Sequence, residues 1–266
     1  MGSTAPSNRQ TPSDPVIMST QVISLIAPAK LTLALRVTGI RPDGFHLIDA
    51  EMVTLELADE LLVDTTRTGL EIDGSFSKDL IATDDNLVVR ALKLANRQAH
   101  VKITKNIPSG GGLGGGSADA AAILRWAGFK DLASAAKLGA DIAFCMVGGR
   151  ARVSGIGEIV SSLKKVAREI TLVVPPFRVS TPEVYRAFDQ LTNFCKTPLR
   201  HPGVNDLEPA ALIVEPRLIE WKQKITQVCG FEPTLAGSGS TWWLDGKFAN
   251  LASQLPDATV ITTRTA

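Results

Sequence analysis

Alternating and clustered apolar positions along the chain predict a mixture of short β-strands and amphipathic helices. Four strand-like segments make the N-terminal region strand-rich, at residues 22–26, 31–37, 52–57 and 60–64. Four more strands are predicted at residues 101–104, 170–174, 241–244 and 260–263. Because residues 170–174 follow a basic stretch at 164–168, we place a domain boundary between residues 168 and 169.

Helical periodicity predicts six helices among these strands, so the fold class is α+β. They span residues 86–98, 117–127, 132–138, 182–191, 208–214 and 217–228. Asp84 or Asp85 is the expected N-cap of the first helix. A chain of 266 residues can hold one large domain or two ordinary ones. We expect two, at residues 21–168 and 169–266.

The first 20 residues differ in composition from the rest of the chain. They are rich in Ser, Thr, Pro, Gln and Asn, with little that could pack into a core. They also lack the basic start and apolar middle of a signal peptide. We therefore expect a disordered leader over residues 1–20, either native or left from cloning.

Charge and cysteine usage narrow the classes of function. The formal net charge is +1 with both signs mixed throughout, which gives no electrostatic reason to bind nucleic acid or an anionic membrane. No apolar run reaches the roughly 18 residues of a membrane span. The three cysteines are odd in number and far apart, which favours reduced thiols and a cytoplasmic location. The three histidines show no metal-ligand spacing.

The most informative segment is glycine-rich and lies at residues 107–122. Six glycines flank Leu113, and an alanine-rich helix follows directly. Glycine allows a loop to turn several N–H groups toward one point, and the helix N-terminus adds its own free N–H groups and dipole. This arrangement predicts a polyphosphate site, with the Ser117 hydroxyl available for a magnesium ion. A flexible linker is the alternative, but linkers rarely run straight into such a helix.

Other phosphate motifs fit this segment poorly. A P-loop needs a lysine between its last glycine and the following Ser or Thr, and here Gly116 precedes Ser117 directly. The dinucleotide fingerprint lacks its acidic residue, and the strand that follows a protein-kinase glycine loop is absent. The segment instead resembles the Pro-x-x-x-Gly-Leu-Gly-Ser-Ser motif of the GHMP small-molecule kinases.

The resemblance extends over nearly all of the chain after residue 21. Residues 28–35 and 43–46 are similar to an Ala-Lys-x-Asn-Leu motif followed by Asp-Gly-Tyr-His. Residues 138–144, 155–158 and 236–241 are similar to further motifs, as are 85–91 and 205–208. Within the superfamily, residues 43–46 resemble the family that acts on a cytidine diphosphate derivative of methylerythritol.

This resemblance implies a fold and a reaction. The implied fold has two domains, the first like domain 2 of ribosomal protein S5 and the second ferredoxin-like, with the active site in the cleft between them. The implied reaction is ATP- and Mg²⁺-dependent phosphorylation of the substrate's 2-hydroxyl, on the methylerythritol phosphate route to isoprenoids. The partners would be this small molecule alone, with no nucleic acid or membrane, and the protein a monomer or homodimer.

Lys30 and Asp141 are the predicted catalytic pair. Asp141 lies in an apolar context, where a charged group is expected to have a partner. The resemblance implies that Lys30 is that partner and that Asp141 is the base. The alternatives are a structural ion pair or helix cap for Asp141 and a surface lysine for Lys30.

The resemblance also implies the two ligand-binding sets. The nucleotide-binding residues are Pro108, Gly110, Gly111, Gly112, Leu113, Gly114, Gly115, Gly116, Ser117 and, at the adenine, Asn86. The substrate-binding residues are Thr32, Phe45, His46, Thr181, Tyr185, Gly237, Ser238 and Gly239. In this set Phe45 and Tyr185 would stack on the two faces of a cytosine and His46 would bind its edge. A histidine packed beside an aromatic ring is the alternative for His46.

Three departures from the family motifs occur, one of them Ile142-Ala143 in place of Val-Pro after Asp141, which changes backbone stiffness rather than chemistry. Thr32 replaces an asparagine, which shortens the polar group near the transferred phosphate, and Phe45 replaces a tyrosine. Two other functions therefore stay open: another GHMP kinase with a different alcohol substrate, and a non-catalytic nucleotide-binding relative. Thr32 is the only argument for the second.

Overall fold

The computed structural model describes residues 22–78, 80–195, 204–248 and 250–266. The predicted leader at 1–20 lies outside these ranges. The described strands are β1 (Val22–Ile40), β2 (His46–Asp64), β3 (Gly69–Asp73), β4 (His100–Thr104), β5 (Arg150–Gly155), β6 (Ile159–Ser162), β7 (Glu169–Val174), β8 (Thr234–Leu235), β9 (Trp242–Asp245) and β10 (Thr259–Arg264). The described helices are α1 (Leu87–Leu94), α2 (Gly115–Trp126), α3 (Leu132–Leu138), α4 (Ile142–Val147), α5 (Thr181–Cys195), α6 (Glu208–Val214), α7 (Arg217–Cys229) and α8 (Leu251–Gln254).

These strands form two sheets. The first has the order β3-β4-β2-β5-β6, with β1 paired to β2, and only the β3–β4 pair is parallel. The second is antiparallel in the order β10-β7-β9-β8. The sheets meet where Leu57 N–H donates to the Thr263 hydroxyl, 3.2 Å away. Strands from residues 22–162 thus build one sheet and strands from 169–264 build the other. The division into domains at residue 168 stays a prediction.

Helix α2 lies at the centre of the N-terminal part. Every residue from Ala118 to Leu124 is buried, and the helix packs against α1, α4 and β1. The alanines of α2 explain its central position, because their small side chains let the neighbouring helices and β1 pack closely against it. The glycine-rich segment therefore joins β4 to a helix that the core holds in place.

The prediction of four separate N-terminal strands is wrong, because the structure has two long strands there. Residues 22–26 and 31–37 belong to the single strand β1, and residues 52–57 and 60–64 belong to β2. The two long strands pair from Val22–Asp64 to Ile40–His46, with register shifts between Pro28 and Lys30, Thr32 and Ala34, and Val37 and Gly39. These irregularities let one strand continue past residues that interrupt a regular pattern.

Several helix boundaries also differ from the prediction, and α5 ends at Cys195 rather than at residue 191. Asn86, not Asp84 or Asp85, caps α1, since its Oδ1 accepts from Val88 N–H at 2.9 Å. The same helix ends at Leu94 rather than 98, because Asn96 adopts a left-handed conformation with φ +50°. Helix α2 begins at Gly115, two residues before the predicted start, since Gly114 is the last residue of the glycine-rich loop with positive φ. The helices at 132–138 and 208–214 are confirmed.

Candidate active site

The site has at its centre a polar cluster of Lys30, Thr32 and Asp141, of which Lys30 and Thr32 are buried. Lys30 and Thr32 lie two residues apart on β1, so their side chains project from the same face of the strand. Lys30 Nζ lies 3.1 Å from Asp141 Oδ2 and donates to Thr32 Oγ1 at 3.2 Å. The Lys30 side chain is 6% exposed, so the surface-lysine alternative is wrong, whereas the Asp141 side chain is 30% exposed. Asp141 occupies the N-cap position of α4, but its side chain does not cap the helix.

The glycine-rich loop packs directly on Lys30. Lys30 N–H donates to the Leu113 carbonyl at 3.0 Å, which ties the loop to β1. Gly114 has φ +68°, and a Cβ there would lie 2.7 Å from Lys30 Cγ. Only glycine combines this backbone conformation with this close approach. Lys30, the predicted catalytic lysine, thus constrains the conformation of this loop.

A second glycine-containing segment, residues 236–241, packs on the first. Thr241 N–H donates to the Gly111 carbonyl at 3.3 Å, and a Cβ on Gly112 would lie 2.4 Å from the Ala236 carbonyl oxygen. The two backbones are therefore in direct contact, with no side chain between them. Ser238 Oγ lies 2.7 Å from Thr181 Oγ1, which joins this segment to the start of α5.

Two cavities meet at Gly112. The smaller, about 430 Å³, is lined by every residue of the predicted nucleotide set: Pro108, Gly110, Gly111, Gly112, Leu113, Gly114, Gly115, Gly116, Ser117 and Asn86. The larger, about 540 Å³, is lined by the predicted catalytic pair and by seven predicted substrate residues: Thr32, Phe45, His46, Thr181, Tyr185, Gly237 and Ser238. Gly239, also predicted to bind substrate, is not among the lining residues. Its N–H instead closes a turn to the Ala236 carbonyl at 3.0 Å.

His46 is held by one face of α5. Its ring centroid lies 4.5 Å from that of Tyr185, and its Nε2 lies 2.6 Å from Asp189 Oδ1. Phe45, the preceding residue, is 57% exposed on the turn between β1 and β2. Burial, together with the charge of Asp141, raises the pKa of Tyr185 to about 12, so its hydroxyl stays protonated. The predicted aromatic and histidine residues thus lie at one end of the larger cavity.

Sequence reasoning missed a buried charge cluster beneath the glycine-rich loop. Lys105 Nζ lies 2.6 Å from Asp119 Oδ2 and also donates to Asp59 Oδ2. Asp59 Oδ1 accepts from the N–H groups of Asn106 and Ile107, at 2.6 and 2.8 Å. Asp119 Oδ1 has no hydrogen-bond partner among the described residues. The signal was available, because Asp119 is the one charged residue in an alanine run.

Burial governs the ionisation of this cluster. It raises the pKa of Asp119 to about 7, against the opposing charge of Lys105. For Lys105 burial acts to lower the pKa, but the charges of Asp119 and Asp59 outweigh it and the pKa is raised. The cluster fixes the end of β4 that leads into the loop, and Lys105 and Asp119 themselves line the smaller cavity.

Asn205 was also missed as part of the site. Its Nδ2 donates to the carbonyls of Leu235 and Gly237, at 3.0 and 2.7 Å, and its Oδ1 accepts from Leu207 N–H at 3.0 Å. Backbone hydrogen bonds join Leu35 of β1 to Val204 and Asp206 on either side of it. This buried amide therefore fastens the second glycine-containing segment to the strand that carries Lys30.

Three further observations on the described residues concern metal ligands, thiols and membrane helices. No group of three or more His, Cys, Asp or Glu within them is placed to hold a metal ion. Cys145 and Cys229 are free thiols, and burial raises the pKa of the Cys145 thiol to about 12. Among the described helices none has the length and apolar character needed to cross a bilayer.

A glycine-rich loop at a helix N-terminus, beside a lysine–aspartate pair in a second cavity, is the arrangement of a small-molecule kinase. The sequence profile described as GHMP kinases N terminal domain matches residues 86–149. A Paracoccus denitrificans protein named 4-diphosphocytidyl-2-C-methyl-D-erythritol kinase is 36% identical over 240 residues, which cover 85% of this chain and 87% of that protein. The chain belongs to the GHMP kinases and, within them, to the 4-diphosphocytidyl-2-C-methyl-D-erythritol kinase family.

Solved structures show the same fold. A crystal structure of 4-(cytidine 5'-diphospho)-2C-methyl-D-erythritol kinase matches with a TM-score of 0.70 and 28% identity, covering 92% of this chain and 100% of that one. A homoserine kinase from Cytophaga hutchinsonii matches with a TM-score of 0.59 and 16% identity, covering 97% of each chain. The α+β GHMP kinase fold expected from the sequence is therefore confirmed.

Proposed function

We propose that this chain is an ATP-dependent kinase that phosphorylates the 2-hydroxyl of 4-diphosphocytidyl-2-C-methyl-D-erythritol. The observation that carries this proposal is the position of the Lys30–Asp141 pair, in the larger cavity and against the glycine-rich loop of the smaller one. The relative and the solved structure with the same name support the substrate. The reaction belongs to the methylerythritol phosphate route to isoprenoids.

Each of the two cavities would hold one reactant of the phosphoryl transfer. ATP would supply the phosphoryl group from the smaller cavity, with N–H groups of the loop and of α2 facing its phosphates. Asp141 accepts the proton of the substrate hydroxyl, and Lys30 holds Asp141 and that hydroxyl in line. Thr32, which accepts from Lys30, orients the amine in place of the family's asparagine. Asn86, which lines this cavity, would lie beside the adenine.

A magnesium ion fits this site only as a companion of the triphosphate. The Ser117 hydroxyl lines the nucleotide cavity, whereas the described residues contain no cluster of acidic ligands that could hold a metal alone. Magnesium commonly keeps several waters and binds one or two protein oxygens together with phosphates. We propose Ser117 as its protein ligand.

The larger cavity would hold the cytidine diphosphate substrate. Phe45, His46 and Tyr185 would bind the cytosine, and Thr181, Gly237 and Ser238 would bind the polar groups between the base and the reacting hydroxyl. We further propose a cytoplasmic enzyme with domains at 21–168 and 169–266. Its partner is this small molecule, without nucleic acid or membrane, and its state is monomer or homodimer.

A coupled assay of ATP consumption tests the proposal. The cytidine substrate should be phosphorylated at its 2-hydroxyl, with kcat/KM far above that for homoserine or mevalonate. Faster turnover of either alcohol would contradict the substrate and leave the kinase class intact. No turnover with any of these alcohols would favour a non-catalytic nucleotide-binding relative.

A further inference from the structure

Asp189 lines the larger cavity and has no role in the proposed reaction. It lies on the same face of α5 as Thr181 and Tyr185, at intervals of four residues, and all three line the cavity. Its Oδ1 lies 2.6 Å from His46 Nε2, on the strand β2 opposite. The His46 side chain is 13% exposed and that of Asp189 34%, so this contact is partly shielded from water.

The contact determines which imidazole nitrogen carries the proton. A carboxylate accepts hydrogen bonds and cannot donate one, so Nε2 must be the donor. A neutral imidazole then has its lone pair on Nδ1, which acts as an acceptor. Nδ1 makes no hydrogen bond to any residue the structure describes, and His46 lines the cavity. The ring therefore presents an acceptor to a ligand.

The ring itself is held against rotation. Tyr185 packs at 4.5 Å between centroids on one side, and Phe188 meets it edge-on at 6.3 Å. Turning the imidazole by 180° would break the hydrogen bond to Asp189, while the two ring contacts keep the ring in its plane. The tautomer and the orientation are thus set by one helix.

We propose that Asp189 is a positioning residue that locks His46 in the Nε2–H tautomer and so makes the larger cavity selective for an amino-bearing pyrimidine over its oxo counterpart. This inference rests on the proposed function for the presence of a pyrimidine. Cytosine carries an amino donor at the position where uracil has a carbonyl acceptor. An acceptor at Nδ1 can accept a hydrogen bond from the amino group of cytosine. With uracil it would face the carbonyl oxygen, so two acceptors would meet with no proton between them.

Replacing Asp189 by the isosteric Asn tests whether Asp189 sets the tautomer of His46 or only holds its ring in place. In the Asp189→Asn variant the amide can donate to Nε2, which shifts the proton to Nδ1 and turns an acceptor into a donor. Loss of the correct tautomer with the geometry retained is known to impair histidine-dependent sites severely. The matched control is Glu183→Gln, the same charge change on α5 at a residue that pairs 3.7 Å from Arg186 and does not contact His46.

The first measurement is the tautomer itself. Long-range proton–nitrogen correlation spectra of the histidine-labelled ligand-free protein at pH 8 should show His46 protonated at Nε2 alone. The chain has only three histidines, so His46→Gln identifies the signal. Asp189→Asn should lose this state, and Glu183→Gln should keep it. A proton on Nδ1 in the wild-type protein, neutral or charged, overturns the proposal.

The second measurement is base selectivity, made by calorimetry with the nucleotide cavity saturated by a non-hydrolysable ATP analogue. The wild-type protein should bind CDP at least about tenfold more tightly than UDP, a ratio that Asp189→Asn reduces to about threefold or less. An unchanged ratio in a folded Asp189→Asn protein, or no binding of CDP by the wild type, overturns the proposal. Failure to phosphorylate the cytidine substrate would instead contradict the proposed function, and the tautomer and the CDP-to-UDP ratio would still decide this one.

Discussion

The side chain of Lys30 lies across Gly114, so closely that a Cβ on Gly114 would be 2.7 Å from Lys30 Cγ. The loop expected to hold phosphates thus also contacts the predicted catalytic lysine. Gly114 is the N-cap of α2 at φ +68°, where side chains are strained even in open space. Nucleotide binding and lysine placement therefore share one residue.

The Gly114→Ala variant should damage catalysis beyond its effect on ATP binding. The new methyl must displace the Lys30 side chain, and we expect kcat to fall at least about tenfold, since small misplacements of reacting groups are costly. Gly128→Ala is the matched control, because Gly128 has φ +74° and no atom within 4 Å of an added Cβ. It should lose about 1 kcal/mol of stability and keep kcat. A folded Gly114→Ala enzyme with wild-type kcat would contradict the shared role.

Asp141 should be needed more than any other carboxylate. Removing a positioned base costs about 10²–10⁴ in turnover, so Asp141→Asn should lower kcat by that factor while the protein stays folded. Asp84→Asn is the comparison, since Asp84 is 92% exposed and pairs only loosely with Lys93 at 3.6 Å. Retention of more than a tenth of the wild-type kcat would show that Asp141 is not the base.

The sequence sufficed for the parts of the fold that local chemistry dictates. Helices 132–138 and 208–214 have clear boundaries, and the glycine-rich loop is recognisable from its residues alone. Elements with weaker patterns were not predicted. Helix α4 is six residues of continuous apolar sequence without helical periodicity, and β5 and β6 are short strands that only their pairing to β2 and to each other defines.

The candidate site shows the same division. Lys30 and Asp141 were paired through their motifs, and the structure places them 3.1 Å apart. The contact between His46 and Asp189 joins residues 143 positions apart, and no local pattern announces it. The role of Asn205 is equally absent from any local pattern, because it depends on hydrogen bonds to two carbonyls about 30 residues further along the chain. Such long-range hydrogen bonds follow from the tertiary packing and not from periodicity.

Asn205→Ala should weaken binding of the acceptor substrate more than binding of ATP. Its amide holds the Leu235 and Gly237 carbonyls, so its loss frees the segment that lines the larger cavity. We expect the KM for the cytidine substrate to rise about tenfold or more, with a much smaller change in the KM for ATP.

Asp206→Asn is the control for Asn205→Ala, because Asp206 fastens the same stretch to β1 through Arg36 and Val37 N–H without contacting the glycine-containing segment. It should reduce stability and leave the ratio of the two KM values unchanged. Equal rises in both KM values for Asn205→Ala would indicate general loosening of the site.

The pH dependence of stability should report the buried cluster of Asp59, Lys105 and Asp119. Burial raises the pKa of Asp119 from 3.8 to about 7, so the folded protein holds this proton more tightly than the unfolded chain. Its contribution to the free energy of unfolding is complete below about pH 4 and is lost as the pH rises through about 7. Asp119→Asn has no such proton, so the wild type should lose up to about 3 kcal/mol relative to it between pH 5 and pH 8.

Asp131 provides a contrast of opposite sign for the same measurement. Hydrogen bonds from Ser134 lower the pKa of Asp131, so its contribution is present at neutral pH and is lost as the pH falls through that lowered pKa. Denaturant unfolding of the wild type, Asp119→Asn and Asp131→Asn across pH 3–8 separates the two trends. If the difference between the wild type and Asp119→Asn stays constant from pH 5 to pH 8, Asp119 is ionised throughout this range and its charge is fully compensated by Lys105.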